Sequence, residues 1–316
     1  MRHAIVAMVI QLRLEMKGTM KQSTKAIYIS LAAFVCAYWA GAAYADYIYV
    51  SDGQEILKFD SNGNRSVFAD SNSGLRSPQG LAFDGNGNLY VADAGDNTIK
   101  RFDSSGHGSV FANWNSNVAA PAGLAFDRSG NLYAADYYTL VYRFDQSGYG
   151  ALFASTINNS GAWGLAFDTA GNLYVADDWG TIDKFDSSGN GSVFADYTSN
   201  IDLPLGLTFD VNGNLYEADG DGTIKKFDSN GHGSVFASGL NVPIGLAFDS
   251  SGILYAVDSG NLNIRRFDLY GNDSVFASGL ENPSFIAIQV PEPTTYSLLA
   301  LGVLALLGTR RLRRSS

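Results

Sequence analysis

Apolar and polar positions alternate through most of this chain in short strand-like runs, and the runs recur as one ordered set. Gly80-Leu81-Ala82-Phe83-Asp84 returns at 123–127, 164–168, 206–210 (with Thr208 for Ala) and 245–249. After each comes Asn-Leu-Tyr-x-x-Asp, at 88–93, 131–136, 172–177 and 214–219, with Ile253 in place of Asn in the fifth copy. A third segment ends in Phe-Asp, as at Phe102-Asp103, and a fourth reads Ser-Val-Phe-Ala, as at 109–112. A period near 40 residues holding four short strands predicts the blade of a β-propeller. One such unit cannot bury its apolar faces alone, whereas a stacked ring buries them all.

Turn chemistry divides the strands in the same places. Asp-x-x-Gly stands between first and second strands (Asp84 to Gly87) and between third and fourth (Asp60 to Gly63). Asp at the first turn position accepts a backbone N–H, and Gly at the fourth tolerates positive φ. These loops lack the Gly at position six and Glu at position twelve of a hand-type calcium loop, so hairpin turns are the better reading. The array also starts out of phase. Residues 47–52 form a second strand, followed by Phe59-Asp60 and 66–69, with no Gly-Leu-Ala-Phe before them. After the last copy, residues 282–289 align with 242–249. The missing innermost strand therefore lies at the far end of the array. Closing it onto the first copy predicts an all-β, six-bladed propeller over 46–289 without open ring ends.

Composition narrows the function. With 46% hydrophobic residues the chain has ample material for a core, which excludes general disorder. The net charge of −10 hides an uneven distribution: residues 46–290 hold 12 Lys and Arg against 29 Asp and Glu. A body that acidic is repelled by phosphate backbones, so nucleic acid is not an expected partner. The single cysteine, Cys36, precedes the repeats and leaves the body without a disulfide, thiol nucleophile or thiolate ligand.

Both ends read as addresses. From Met20, Lys21 and Lys25 precede an apolar run over 26–40, and Ala43 and Ala45 occupy the −3 and −1 positions of a signal-peptidase site. Segment 1–45 is thus expected to be a signal peptide, the alternative being a retained anchor. At the other end, Val290, Pro291, Glu292 and Pro293 precede an apolar run over 297–308, then Arg310, Arg311, Arg313 and Arg314. The run is shorter than the roughly 20 residues of a full bilayer span. This tripartite tail, 290–316, resembles the PEP-CTERM sorting signal of bacterial envelope proteins. The resemblance implies an exported protein, held at the membrane at least transiently through a short C-terminal helix and processed by an exosortase. It also implies a cell-envelope, cell-surface or extracellular destination.

The repeated Pro-x-Gly-Leu-Ala-Phe-Asp and Asn-Leu-Tyr-Val-Ala-Asp resemble the NHL repeat and the wider six-bladed group of gluconolactonase and regucalcin-like proteins. That group spans lactonases, lyases and pure binding modules, so the fold leaves function open. In its metal-dependent lactonases, side chains just before the innermost Gly help to hold a divalent cation. Here the channel-mouth position is Gln79, Ala122, Trp163, Leu205, Ile244 and Ser284, none of them a carboxylate. A hard cation wants charged oxygen ligands. Lyases of this shape need His near the channel, and the body offers only His107 and His232, both in outer turns.

Two features remain. Asp52, Asp93, Asp136, Asp177, Asp219 and Asp258 end the second strands, one per blade. They either cap the backbone of their own following loops or, crowded together, shift their pKa values and recruit a cation. Tyr137, Tyr138, Trp163 and Trp179 break the symmetry in loops on one face, and serve either a ligand or internal packing. The expectation is a non-catalytic exported propeller, without a cofactor or metal, that binds a protein or neutral polysaccharide through that face. The alternative is a metal-dependent, gluconolactonase-like hydrolase drawing on the aspartate ring.

Overall fold

Each repeat folds as a four-stranded antiparallel meander in which chain order is also spatial order. The computed structural model describes residues 46–289 except Asn117. The expected signal peptide over 1–45, the sorting tail and the short apolar helices expected at the two termini lie outside the described residues. Blade 2 runs Pro78–Phe83, Leu89–Asp93, Thr98–Phe102 and Gly108–Ala112, from innermost to outermost. Blades 3 to 6 repeat it over 121–155, 162–195, 204–238 and 243–278.

Blade 1 is split, as the phase of the repeats requires. Tyr47–Asp52, Glu55–Phe59 and Arg65–Ala69 are completed by Pro283–Gln289 as the innermost strand. The register pairs Ile48 with Ile288, Tyr49 with Ala287 and Val50 with Ile286. The late strand also meets both neighbours. The Ser284 hydroxyl donates to Gln79 Oε1 of blade 2 at 3.0 Å. On the other side, a Cβ on Gly245 of blade 6 would fall 2.7 Å from Ile286 N. The ring is closed.

Alternation along each strand sends one set of side chains into each seam between blades. Seam 4/5, for instance, gathers Ala176 and Ile182 from blade 4 with Leu207, Leu215 and Phe227 from blade 5. The repeated tyrosine pins the seam. Tyr90 meets Phe111 of its own outer strand at 4.9 Å and Phe126 of the next innermost strand at 5.0 Å, both edge-on. Such geometry suits the ring quadrupoles and adds roughly 0.5–1.5 kcal/mol per pair beyond area burial. Tyr255 keeps the first contact, with Phe276, but across its seam it meets Ile288, because the split blade has no phenylalanine there.

The repeated glycines are explained at the axis. A Cβ on Gly123 would fall 2.0 Å from the Trp163 carbonyl oxygen, and one on Gly206 1.9 Å from that of Ile244. Innermost strands therefore pack backbone against backbone around the axis. Blade 1 alone departs from this pattern, with Phe285 at the equivalent position.

Candidate binding face

In an antiparallel meander, the second-to-third turns and the blade-to-blade connections emerge at the same end of the ring. Every member of the aspartate ring and every symmetry-breaking aromatic lies there. All six aspartates are buried.

Their carboxylates are occupied by backbone. Asp93 accepts N–H bonds from Arg76 and Ser77 (3.1 and 2.7 Å), and the buried Lys100 ammonium donates to it as well. Asp52 holds Glu281 and Asn282 at 2.9 and 2.6 Å. Asp219 holds Asp202 and Leu203 at 3.0 and 3.1 Å, and Asp258 holds Asn241 at 2.6 Å. These four tie down the connection entering the innermost strand of their own blade, whereas capping of the following loop is the sequence expectation. Asp219 also accepts from Asp221 N of its following turn at 3.1 Å, and Asp136 and Asp177 cap only that following turn. Asp136 takes the N–H groups of Tyr138, Thr139 and Leu140, and Asp177 takes those of Trp179 and Thr181. In these two blades other acceptors hold the incoming connection: Asn97 for Ala120 N at 2.7 Å, and Asp178 for Gly161 N at 2.8 Å. Among the described residues, no three His, Cys, Asp or Glu side chains are grouped to hold a metal.

The channel-mouth position is not a uniform rim. Ala122 and Leu205 are buried, Gln79 and Ser284 bond each other, and Ile244 and Trp163 are half-buried. Below them is a small axial cavity of about 100 Å³, lined by Leu81, Leu124, Leu165, Leu207, Phe285 and axial glycines. The signal for Phe285 was in the sequence, as Ser-Phe-Ile where other copies have x-Gly-Leu, but its place in the lumen emerges only once the ring is closed.

The aromatic residues divide into two pairs. Tyr137 stands edge-on to Trp163 at 4.7 Å, and burial raises the pKa of its hydroxyl. Trp163 also packs on the apolar residues of seam 4/5. Tyr138 and Trp179 are exposed, at 65% and 74%, and neither ring stacks on another aromatic among the described residues. Tyr197, in the connection from blade 4 to blade 5, is 77% exposed and joins them on this end. Ile157 and Leu203, in neighbouring connections, are also exposed.

Comparison with known proteins agrees with this architecture. The NHL-repeat model matches residues 75–102, which include three strands of blade 2. The chain carries an NHL repeat. A model of the PEP-CTERM protein-sorting motif matches residues 289–314, and that motif marks an exported, surface-associated protein processed by an exosortase. No curated protein sequence matches the chain closely. Among solved structures, an inactive virginiamycin B lyase from Staphylococcus aureus with quinupristin shares 14% identity. That match has a TM-score of 0.60 over 78% of this chain and 93% of the other. A streptogramin B lyase matches at 15% identity and TM-score 0.54, over 74% of each chain. A gluconolactonase from Xanthomonas campestris matches at 22% and 0.55, over 65% of this chain and 76% of its own. At these identities the likeness shows the fold.

Proposed function

We propose that this protein is an exported, non-catalytic propeller of the cell envelope or extracellular matrix, which holds a protein or neutral polysaccharide on its loop face. In this reading residues 1–45 are removed as a signal peptide, and the tail anchors the body transiently until exosortase processing. The observation that carries it is the solvent-facing group of Tyr138, Trp179 and Tyr197 on the end where the turns converge. Exposed aromatic rings offer large contact area at small conformational cost and stack well on sugar rings or protein side chains. The acidic surround, with Asp178 and Asp202 on the same loops and Asp221 in the following turn of blade 5, disfavours polyanions.

The occupied aspartate ring supports binding over hydrolysis. Each carboxylate of the ring already serves backbone N–H groups, and recruiting it to a cation would unfasten a loop. The test is retention of the purified protein on envelope polysaccharide and on an envelope protein fraction. Trp179→Ala with Tyr138→Ala should lower retention at least tenfold, with the melting temperature kept; unchanged retention removes these residues from the site. Steady lactone hydrolysis that depends on an added divalent cation would favour the gluconolactonase-like alternative.

A further inference from the structure

The six seams share one design and differ most in charge at the middle of the third strand. That residue is Leu57 in seam 6/1, Lys100 in 1/2, Tyr142 in 2/3, Asp183 in 3/4, Lys225 in 4/5 and Arg265 in 5/6. Beside it lies the buried aspartate that ends the second strand. In seam 1/2 the Lys100 ammonium bonds Asp93 and Asp96, so the buried charge is compensated. In seam 5/6 Arg265 pairs with Asp273 and lies 3.7 Å from Asp258.

Both seams of blade 4 lack this balance. In seam 3/4 the cation is replaced by a second acid. Asp183 is fully buried, and it accepts from Ile157 N at 2.7 Å and shares the Thr181 hydroxyl with Asp177. From blade 3, Tyr133 and Arg143 are the titratable and charged residues on the facing strands. In seam 4/5 Lys225 is present, but its ammonium is taken by Asp219 and Asp221. Glu217, opposite Lys225 in the register, is fully buried with neither carboxyl oxygen partnered. Its counterparts in the other blades are Val50, Val91, Ala134, Val175 and Ala256. Across the seam, the titratable residues of blade 4 are Tyr174 and Lys184, and Lys184 sits over the Tyr174 ring at 5.1 Å.

We propose that blade 4 is a pH-released blade: each of its seams holds a second buried carboxyl, beyond the ring aspartate and with no cation of its own, so both seams close in mild acid and loosen as the pH rises. A buried carboxyl is tolerated protonated and costs several kcal/mol ionised. Burial, reinforced by Asp177, pushes Asp183 up to about 6. Burial raises Glu217 well above the usual carboxylate range, with Asp219 adding to it and Lys225 opposing. The direction follows from proton linkage. Above the ordinary pKa of each acid the folded state binds more protons than the unfolded state, so stability falls as pH rises toward the folded value. No other described seam carries such a carboxyl. The release is independent of what the loop face binds.

Hydrogen exchange of the full-length protein between about pH 5 and about pH 8, corrected for intrinsic rates, reads this directly. Exchange in 162–195 should accelerate with pH while exchange in blades 1 and 2 stays level. The opening constant of blade 4 should rise by up to about tenfold per pH unit for each group while it titrates. Asp183→Asn with Glu217→Gln should flatten that slope. Equal pH dependence in all blades, or an unchanged slope in a folded double variant, overturns the proposal. If the double variant fails to fold, the blade-by-blade exchange of the natural protein decides alone.

Discussion

Asp93 and Asp60 are the same residue type in the same repeat and carry very different burdens. Asp93 is buried under two backbone N–H groups and an ammonium, so Asp93→Ala strips both N–H groups of their acceptor and leaves the buried Lys100 with only the partly exposed Asp96. We expect a loss of about 3–5 kcal/mol, measured by urea denaturation. Asp60 caps an exposed turn, where bonds from Asn64 hold its carboxyl below the usual range. Asn190 and Asn272 do the same for Asp186 and Asp268. A depressed folded pKa contributes stability that is present above the ordinary carboxylate value and lost as pH falls through the folded one. With Asp183 and Glu217 acting in the opposite direction, denaturation followed against pH should show greatest stability in mild acid, falling on both sides. The turn aspartates were legible from Asp-x-x-Gly alone. The ring aspartates were legible as caps, but four of them hold a segment that only the closed meander brings near.

At the scale of strands, backbone contact at the axis decides what each position tolerates. Gly123→Ala drives a methyl group into the Trp163 carbonyl, and the innermost strands cannot separate without opening two seams. A loss of about 1–3 kcal/mol or more is expected from such overpacking, read as a lowered urea midpoint at unchanged slope. Phe285→Ala enlarges the axial cavity and should cost about 3–5 kcal/mol, the usual range for a buried phenylalanine. The periodicity of the chain made strand order and blade count readable, because every blade repeats the same pattern. It could not show Phe285 lining the lumen or Glu217 lying in a seam, since both break the pattern and acquire meaning from residues in neighbouring blades. Likewise Trp163 and Trp179 look alike as loop aromatics, yet Trp163 packs against Tyr137 and seam 4/5 while Trp179 faces solvent.

For the whole molecule, the ring closes through one short strand that arrives more than 230 residues after its partner. Until that strand docks, Tyr49 and Val50 present an unpaired edge, so closure makes six marginal units into one stable body. The loop face and its exposed aromatics depend on this arrangement. Replacing Val50 and Ile286, which are register partners, by cysteine tests it most directly. Antiparallel partners lie about 4.5–5.5 Å apart at Cα, within disulfide reach. Cys36 is the only natural cysteine and precedes the described body. We expect the oxidised double variant to form an intramolecular disulfide and melt at a higher temperature than its reduced form. Two thiols that stay free and separately labelled in the folded protein would contradict the closed ring.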